Sequence, residues 1–275
     1  MIKHYLKVAF RNLMKYKTQS LVSIIGLAVG FTCFALSALW IRYEMTYDNF
    51  HEGAERIYLV RAHYANEPGT SKFTPYPLMK YLQDKMPEIE AVTAFTAHHV
   101  KFRMEDTEQE IGMIAADSVF MNFFDIQLLK GTVNFLKCDG QEVAITKEFA
   151  KRLFSKEEDA LGKEVEVGRR VCKIGAIVSG WSNHSNIPYN ILAPARHSPR
   201  WGSSNEQLFI RVRERTDIDA FRTKMSTVCI NDIEKESELS DLLITRMSAL
   251  RYSDYVDKAD VVISFSYIFY FSLAG

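Results

Sequence analysis

Residues 20–41 read SLVSIIGLAVGFTCFALSALWI and contain no charged side chain. The stretch is 22 residues long, close to the ~20 residues that a helix needs to cross the hydrocarbon core of a bilayer. A soluble helix of this length usually carries charges on its solvent face. We therefore predict a transmembrane helix over residues 20–41. Two alternatives stay open, a buried core helix and a cleaved signal peptide with a weak small-x-small site at Ala35–Ser37.

The flanks of this stretch differ in charge. Residues 1–19 contain five Lys and Arg side chains and no acid, whereas acids follow at Glu44, Asp48 and Glu52. Basic flanks stay in the cytoplasm. The predicted orientation is therefore an N-terminus in the cytoplasm and the bulk of the chain outside it, in the cytoplasmic (inner) membrane of the cell.

The basic leader, residues 1–19, also has helical periodicity. Its apolar residues recur at helical spacing along one face: Ile2, Leu6, Ala9, Phe10, Leu13 and Met14. This pattern predicts an amphipathic helix lying in the cytoplasmic interface, with its basic groups near anionic headgroups of the lipid bilayer. The alternative is a topology signal with no structure of its own.

The last 15 residues, 261–275, read VVISFSYIFYFSLAG and are uncharged and mostly apolar. They are too few for a full span, yet a soluble protein rarely exposes such a run. We expect them to be the start of a second transmembrane helix that is cut off by the end of the chain. A C-terminal core strand and a short anchor are the alternatives.

Residues 42–260 contain every acid of the protein and alternate between short strands and short helices. This mixture predicts an α+β extracytoplasmic domain. Strands are expected over 57–65, 90–97, 100–105, 110–115, 142–146, 163–167, 170–178, 207–212 and 242–246. Helices are expected over 74–86, 118–124 (capped by Asp117 or Ser118), 147–154 and from Asp217 onward. We expect two lobes, about 55–130 and 131–250.

The composition excludes several classes of protein. The chain has 275 residues with 34 basic and 34 acidic side chains, and 47% of its residues are apolar. It is therefore not a disordered chain, a disulfide miniprotein or an overall basic nucleic-acid binder, and no nucleic-acid partner is expected. Since residues 1–19 hold five bases, the rest carries 29 bases against 34 acids.

Motifs for chemistry are missing from the sequence. It contains no G-x-x-x-x-G-K-[ST], no G-x-G-x-x-G, no H-E-x-x-H, no C-x-x-C and no G-x-S-x-G. His98 and His99 are adjacent, so on a strand they point to opposite faces and cannot jointly bind one metal ion. We therefore predict no catalytic, cofactor-binding or metal-binding residue and no cofactor. Cys138, Cys172 and Cys229 would lie outside the cytoplasm, and the sequence leaves open whether two of them pair.

Several motifs together resemble the start of a MacB/FtsX-type ABC transporter permease. They are "FRNL" at Phe10–Leu13 followed by Lys15 and Lys17, "GLAVG" at Gly26–Gly30, "YDNFH" at Tyr47–His51 and "RIYLV" at Arg56–Val60. Further matches are Pro77–Thr93, Ala116–Gly131 and Glu142–Val167. The resemblance covers nearly the whole chain, and the order and spacing of the motifs make it fairly specific.

The resemblance implies one transmembrane helix, a MacB-like periplasmic core domain of two mixed α/β subdomains, and then three more helices, so that 261–275 would begin the second one. It implies a permease subunit, homodimeric or pseudo-dimeric, that works with a separate cytoplasmic ABC ATPase and a periplasmic adaptor. ATP hydrolysis by the partner would change the shape of the periplasmic domain, for export or for mechanotransmission. The permease itself would not be an enzyme.

Two other classes of function remain. A membrane-anchored extracytoplasmic binding or sensor module would have the same first helix but no ATPase partner and no transport activity. A membrane-tethered extracytoplasmic enzyme would need a pocket of perturbed acids, histidines or metal ligands.

Overall fold

The computed structural model describes residues 2–104, 107–137, 141–181, 184–228 and 238–252. It separates a helical unit, which extends to Thr46, from a compact unit, which begins at Tyr47. The predicted second membrane helix over 261–275 lies outside the described residues. So do Cys138 and Cys229, and the pairing of the extracytoplasmic cysteines stays open.

The helical unit consists of α1 (Ile2–Lys15) and α2 (Lys17–Glu44). Both predicted N-terminal helices are therefore present, although α2 extends about three residues beyond 20–41 at each end. Its 28 residues correspond to about 42 Å of helix, comparable to a bilayer with its headgroup regions. Its apolar side chains are exposed, among them Leu27 at 75% and Phe34 at 71%. Among the described residues, α2 is the one helix long and apolar enough to cross a membrane.

Within its described residues, the compact unit contains a mixed sheet and four short helices, which confirms the predicted α+β class. The strands are β1 (Ile57–Tyr64), β2 (Thr74–Pro75), β3 (Ile89–Met104), β4 (Thr107–Ala116), β5 (Leu128–Gly131), β6 (Glu142–Thr146), β7 (Glu164–Val167), β8 (Arg170–Val178), β9 (Ile191–Pro194), β10 (Ser204–Val212) and β11 (Leu239–Arg246). The helices are α3 (Pro77–Lys85), α4 (Ser118–Phe123), α5 (Lys147–Leu153) and α6 (Ile218–Val228). Single 3₁₀ turns occur at 54–56, 133–136, 157–160 and 247–252.

The described strands are hydrogen-bonded in the order β11-β1-β10-β3-β4-β9-β6-β8-β5, with β2 beside β10 and β7 beside both β3 and β8. The long strand β3 links the two ends of this sheet, because its first half pairs with β10 and its second half with β4 and β7. The sequence predicted two strands here, 90–97 and 100–105, and the structure has one continuous strand of 16 residues.

Strand pairing does not follow the order of the chain. The predicted lobes, about 55–130 and 131–250, are contiguous in sequence, whereas β1 pairs with β10 and β11 from beyond residue 200. The pairing thus gives no support to a boundary at residue 131, and the division of this unit into lobes stays a prediction.

Three apolar clusters form the core. One lies under α3 and α6 and includes Leu82 and Phe221. A second lies under α5 and is built around Phe102 and Phe149. The third is rich in aromatic side chains from β3, α4, β10 and the loop after β8. Strand β1 contributes to two of these clusters because successive side chains of a strand point to opposite faces.

Candidate functional site

The motif YDNFH, residues 47–51, opens the compact unit three residues after α2 ends. The chain forms turns here, and Asp48 adopts a φ of +57°, a left-handed conformation that Asp tolerates better than most residues. This backbone conformation directs the carboxylate of Asp48 into the interior, where the side chain is fully buried.

The carboxylate of Asp48 accepts hydrogen bonds from the loop between β8 and β9. Ser185 Oγ donates to Oδ1 at 2.5 Å, and Asn186 donates to Oδ2 from its backbone N at 3.1 Å and from its Nδ2 at 2.5 Å. Asp48 N in turn donates to His184 O at 3.2 Å. We call these four residues, Asp48 and His184–Asn186, the Asp48 network. It joins two segments that are 137 residues apart in the sequence.

Burial and hydrogen bonding act on Asp48 in opposite directions. Burial raises the pKa of its carboxyl, and the hydrogen bonds from Ser185 and Asn186 offset part of that rise. A buried carboxylate is expensive unless donors surround it. Loss of Ser185 or Asn186 would therefore remove a donor from a buried carboxylate. Separating the loop from the motif costs free energy for the same reason.

The other motif side chains pack against aromatic rings. Tyr47 lies over the ring of His184, with 3.8 Å between ring centroids. His51 contacts Phe124 at 5.1 Å and Trp181 at 4.9 Å between centroids. Burial, with a smaller contribution from the charge of Arg211, lowers the pKa of His51 to about 4. The neutral ring therefore packs as an aromatic group.

An open cleft of about 670 Å³ lies beside His51. Its walls carry four aromatic side chains and one guanidinium: Phe50, Phe123, Phe124, Trp181 and Arg211. Arg211 Nη2 donates to Phe123 O at 2.6 Å, and its guanidinium lies over the Phe123 ring. Two acids, Glu52 and Asp125, also line the cleft, so it combines an aromatic wall with charged side chains of both signs.

A second polar cluster surrounds His197, in the segment between β9 and β10. Its Nδ1 lies 3.1 Å from Glu206 Oε1, its Nε2 lies 3.7 Å from Asp117 Oδ2, and Tyr76 stacks on its ring. Burial disfavours the charged ring, but the two carboxylates outweigh that effect and raise the pKa of His197 to about 9. The imidazolium therefore links β10 to the start of α4, where Asp117 also caps the helix.

The histidines considered for metal binding are not brought together. His98 and His99 are both exposed on β3, and the described residues contain no group of three or more His, Cys, Asp or Glu that could hold a metal ion. Cys172 lies buried on β8, where burial raises the pKa of its thiol.

Sequence reasoning did not find the Asp48 network. In the sequence, the motif Tyr47–His51 contributes only to a family resemblance, and no role is assigned to the residues around Ser185. The one available signal in the sequence is Asp48 itself, an acid that lies within a motif of three ring-bearing residues, Tyr47, Phe50 and His51. Its partners could not be read from the sequence because the contact spans so much of the chain.

The family model described as "MacB-like periplasmic core domain" matches residues 20–228. The fold resembles that of a domain of a protein described as a permease from Porphyromonas gingivalis, with 18% identity, a TM-score of 0.57, and coverage of 71% of this chain and 91% of that one.

Two further solved structures are similar. The extracellular domain of the noncanonic ABC-type transporter YknZ from Gram-positive bacteria matches with 14% identity and a TM-score of 0.50, over 69% of this chain and 99% of that one. The periplasmic region of MacB from Actinobacillus actinomycetemcomitans matches with 13% identity and a TM-score of 0.50, over 72% and 92%. These likenesses concern the fold. No curated protein gave a significant match.

Proposed function

The chain belongs to the family of MacB-like periplasmic core domains, and on that premise we propose that it is a permease subunit that couples ATP hydrolysis by a cytoplasmic partner to a change of shape in its compact unit. The chain carries the periplasmic domain of an ABC-type permease together with an apolar helix, α2, that is long enough to anchor it in a membrane. The coupling is our proposal.

The Asp48 network is the observation that carries this proposal. Asp48 follows the end of α2 at Glu44 by four residues, a chain length of at most ~14 Å. A displacement of the helix end therefore reaches Asp48 through a short backbone segment. The buried hydrogen bonds to Ser185 and Asn186 would then pass this displacement to the loop between β8 and β9.

The orientation proposed for the chain supports this route. The five bases of residues 1–19 favour a cytoplasmic N-terminus in the inner membrane, which places the compact unit in the periplasm or outside the cell. The leader helix α1 would then lie at the cytoplasmic surface, on the side where an ATPase subunit works. We propose that the partners are this ATPase, a second permease subunit, the surrounding lipid and a periplasmic adaptor.

Co-purification tests this proposal. The full-length protein is to be isolated from its native membrane in a mild detergent, and its partners identified by mass spectrometry. We expect a subunit with a nucleotide-binding site to co-purify and the complex to hydrolyse ATP. A detergent-matched preparation of an unrelated single-span protein serves as control. Isolation of the protein without any ATPase would contradict the proposal and would favour a membrane-anchored binding or sensor module.

A further inference from the structure

A cleft of about 370 Å³ lies on the compact unit between the β7–β8 hairpin and the strands β3, β4 and β9. Three guanidinium groups line it, those of Arg169, Arg170 and Arg196, together with His98 and Thr96. No acidic side chain is among its described lining residues. We call it the arginine cleft. It is separate from the Asp48 network and from the aromatic cleft beside His51.

The hairpin holds two of the arginines in place. Val167 pairs with both Arg170 and Phe102, so the hairpin is attached to β3 as well as being closed on itself. Gly168 supplies the turn with a φ of +65°, which glycine adopts without strain, and its N donates to Lys101 O at 2.7 Å. Arg169 and Arg170 therefore project from a turn whose backbone is fixed before any ligand arrives.

The charges around the hairpin are distributed unevenly. On the neighbouring strand β3, Lys101 and Arg103 form ion pairs with Glu108, and Arg103 also pairs with Glu166. Within the described parts of the chain, by contrast, neither Arg169 nor Arg170 has a carboxylate within ion-pair distance. This concentration of positive charge is notable because the chain beyond residue 19 has 29 bases and 34 acids.

The remaining walls of the cleft are apolar. They are formed mainly by Met113, Val143, Val167, Ala193 and Pro194. Guanidinium groups bind phosphate and carboxylate oxygens through paired N–H donors, and the two positive charges of Arg169 and Arg170 match a dianion better than a monoanion. An apolar wall next to them adds affinity for a ligand that has a hydrocarbon part.

We propose that the arginine cleft binds a small organic phosphate, with the phosphate on Arg169 and Arg170 and a short apolar group against Met113 and Val143. The ligand would bridge the β7–β8 hairpin and the central strands, and so would stabilise their present arrangement. The volume is at the lower end of the range for small-molecule sites, so the ligand class is limited to compact molecules.

Calorimetric titration of the full chain in detergent with butyl phosphate tests the proposal, with inorganic phosphate, butyrate and butanol as comparison probes. We expect saturable binding of butyl phosphate that weakens as salt is raised. Inorganic phosphate and butyrate should bind more weakly, and butanol should not bind. The double variant Arg169→Gln/Arg170→Gln should weaken binding of butyl phosphate roughly tenfold or more.

The matched control is Arg215→Gln/Arg222→Gln, which removes the same net charge from exposed positions outside the cleft and should bind like the native chain. Arg169→Lys/Arg170→Lys keeps the charge without the paired donors and should bind with intermediate affinity. Thermal unfolding of each variant shows whether it is folded. Failure of butyl phosphate to saturate the native chain, or equal binding by the native chain and the folded double Gln variant, would overturn the proposal.

Discussion

His197 shows how a single side chain holds distant parts of the compact unit together. Its charged ring lies between Asp117, at the start of α4, and Glu206, on β10. The folded protein raises its pKa from an ordinary 6.5 to about 9. The folded state thus binds a proton more tightly than the unfolded chain does, and the stability that this contributes is fully present below pH 6.5 and is lost as the pH rises through 9.

Replacement of His197 by Gln tests this contribution, since Gln keeps a hydrogen-bonding side chain but cannot carry the charge. The variant should be less stable than the native chain by about 2–3 kcal/mol at pH 6, and the difference should shrink towards zero by pH 10. Urea unfolding at a series of pH values measures it. The exposed His99→Gln variant should show no such trend, and a difference for His197→Gln that is equal at pH 6 and pH 10 would refute the account.

Asp48 and its hydrogen-bond partners differ in how visible they are in the sequence. The motif YDNFH contains Asp48, and its left-handed backbone conformation is one that Asp tolerates better than most residues. The partners Ser185 and Asn186 could not be predicted, because their contacts with Asp48 depend on the long-range folding of the sheet. No site residue was predicted from the sequence, and the role of Asp48 becomes visible only in the structure.

Among the elements, those with local signals were predicted well. Asp117 caps α4 by accepting a hydrogen bond from Phe120 N at 2.9 Å, and Asp217 caps α6 in the same manner. The strands predicted over 163–167 and 170–178 are present as β7 and β8, which pair with each other. The short strands β5 and β9 were missed, because β5 pairs with β8 and β9 pairs with β4 and β6, all of them distant in the chain. The equally short β7 was predicted because it pairs with the next strand, β8, across a two-residue turn.

Gly131 and Gly168 both have a positive φ, but only at Gly131 would an added Cβ meet neighbouring atoms. Gly131, at the end of β5, has a φ of +85°, and a Cβ added there would lie 2.2 Å from Gly175 O on β8. Gly168, in the β7–β8 turn, has a φ of +65° and open space around the position of a Cβ. Any difference between them on substitution therefore reports the close approach of β5 to β8.

Gly131→Ala should lower the free energy of unfolding by more than Gly168→Ala, which should cost about 1 kcal/mol from its positive φ alone. The steric clash with a β8 carbonyl, which cannot move without disturbing the pairing, adds roughly 1–3 kcal/mol at Gly131. Urea unfolding of the two variants beside the native chain gives the comparison. Equal losses would mean that β5 can move away from β8 at little cost.

For the whole molecule, the uneven charge along the chain was the most informative feature of the sequence. The basic leader, the uncharged stretch and the acidic remainder predicted a membrane anchor, and the structure has a 28-residue helix with exposed apolar side chains at that place. The order of the strands in the sheet could not be predicted from the sequence, because β1 pairs with strands more than 140 residues further along the chain. Pairings at this distance leave no local signal.

In the proposed function, ATP hydrolysis in the cytoplasm changes the shape of the compact unit through Asp48. Spin labels attached to noncanonical residues at positions 80 and 151, exposed on α3 and α5, would report the distance between the two ends of the sheet without disturbing the native cysteines. The sample is the full-length protein with its ATPase in a lipid nanodisc.

The decisive measurement is this distance by pulsed electron resonance, without nucleotide and with ATP trapped by vanadate. We predict that the distance distribution shifts on trapping, and that Asp48→Ala abolishes the shift while the exposed substitution Asp84→Ala retains it, with ATP hydrolysis continuing in both variants. An unchanged distance distribution in the native complex during ATP hydrolysis, or a full shift in the folded Asp48→Ala variant, would contradict the account.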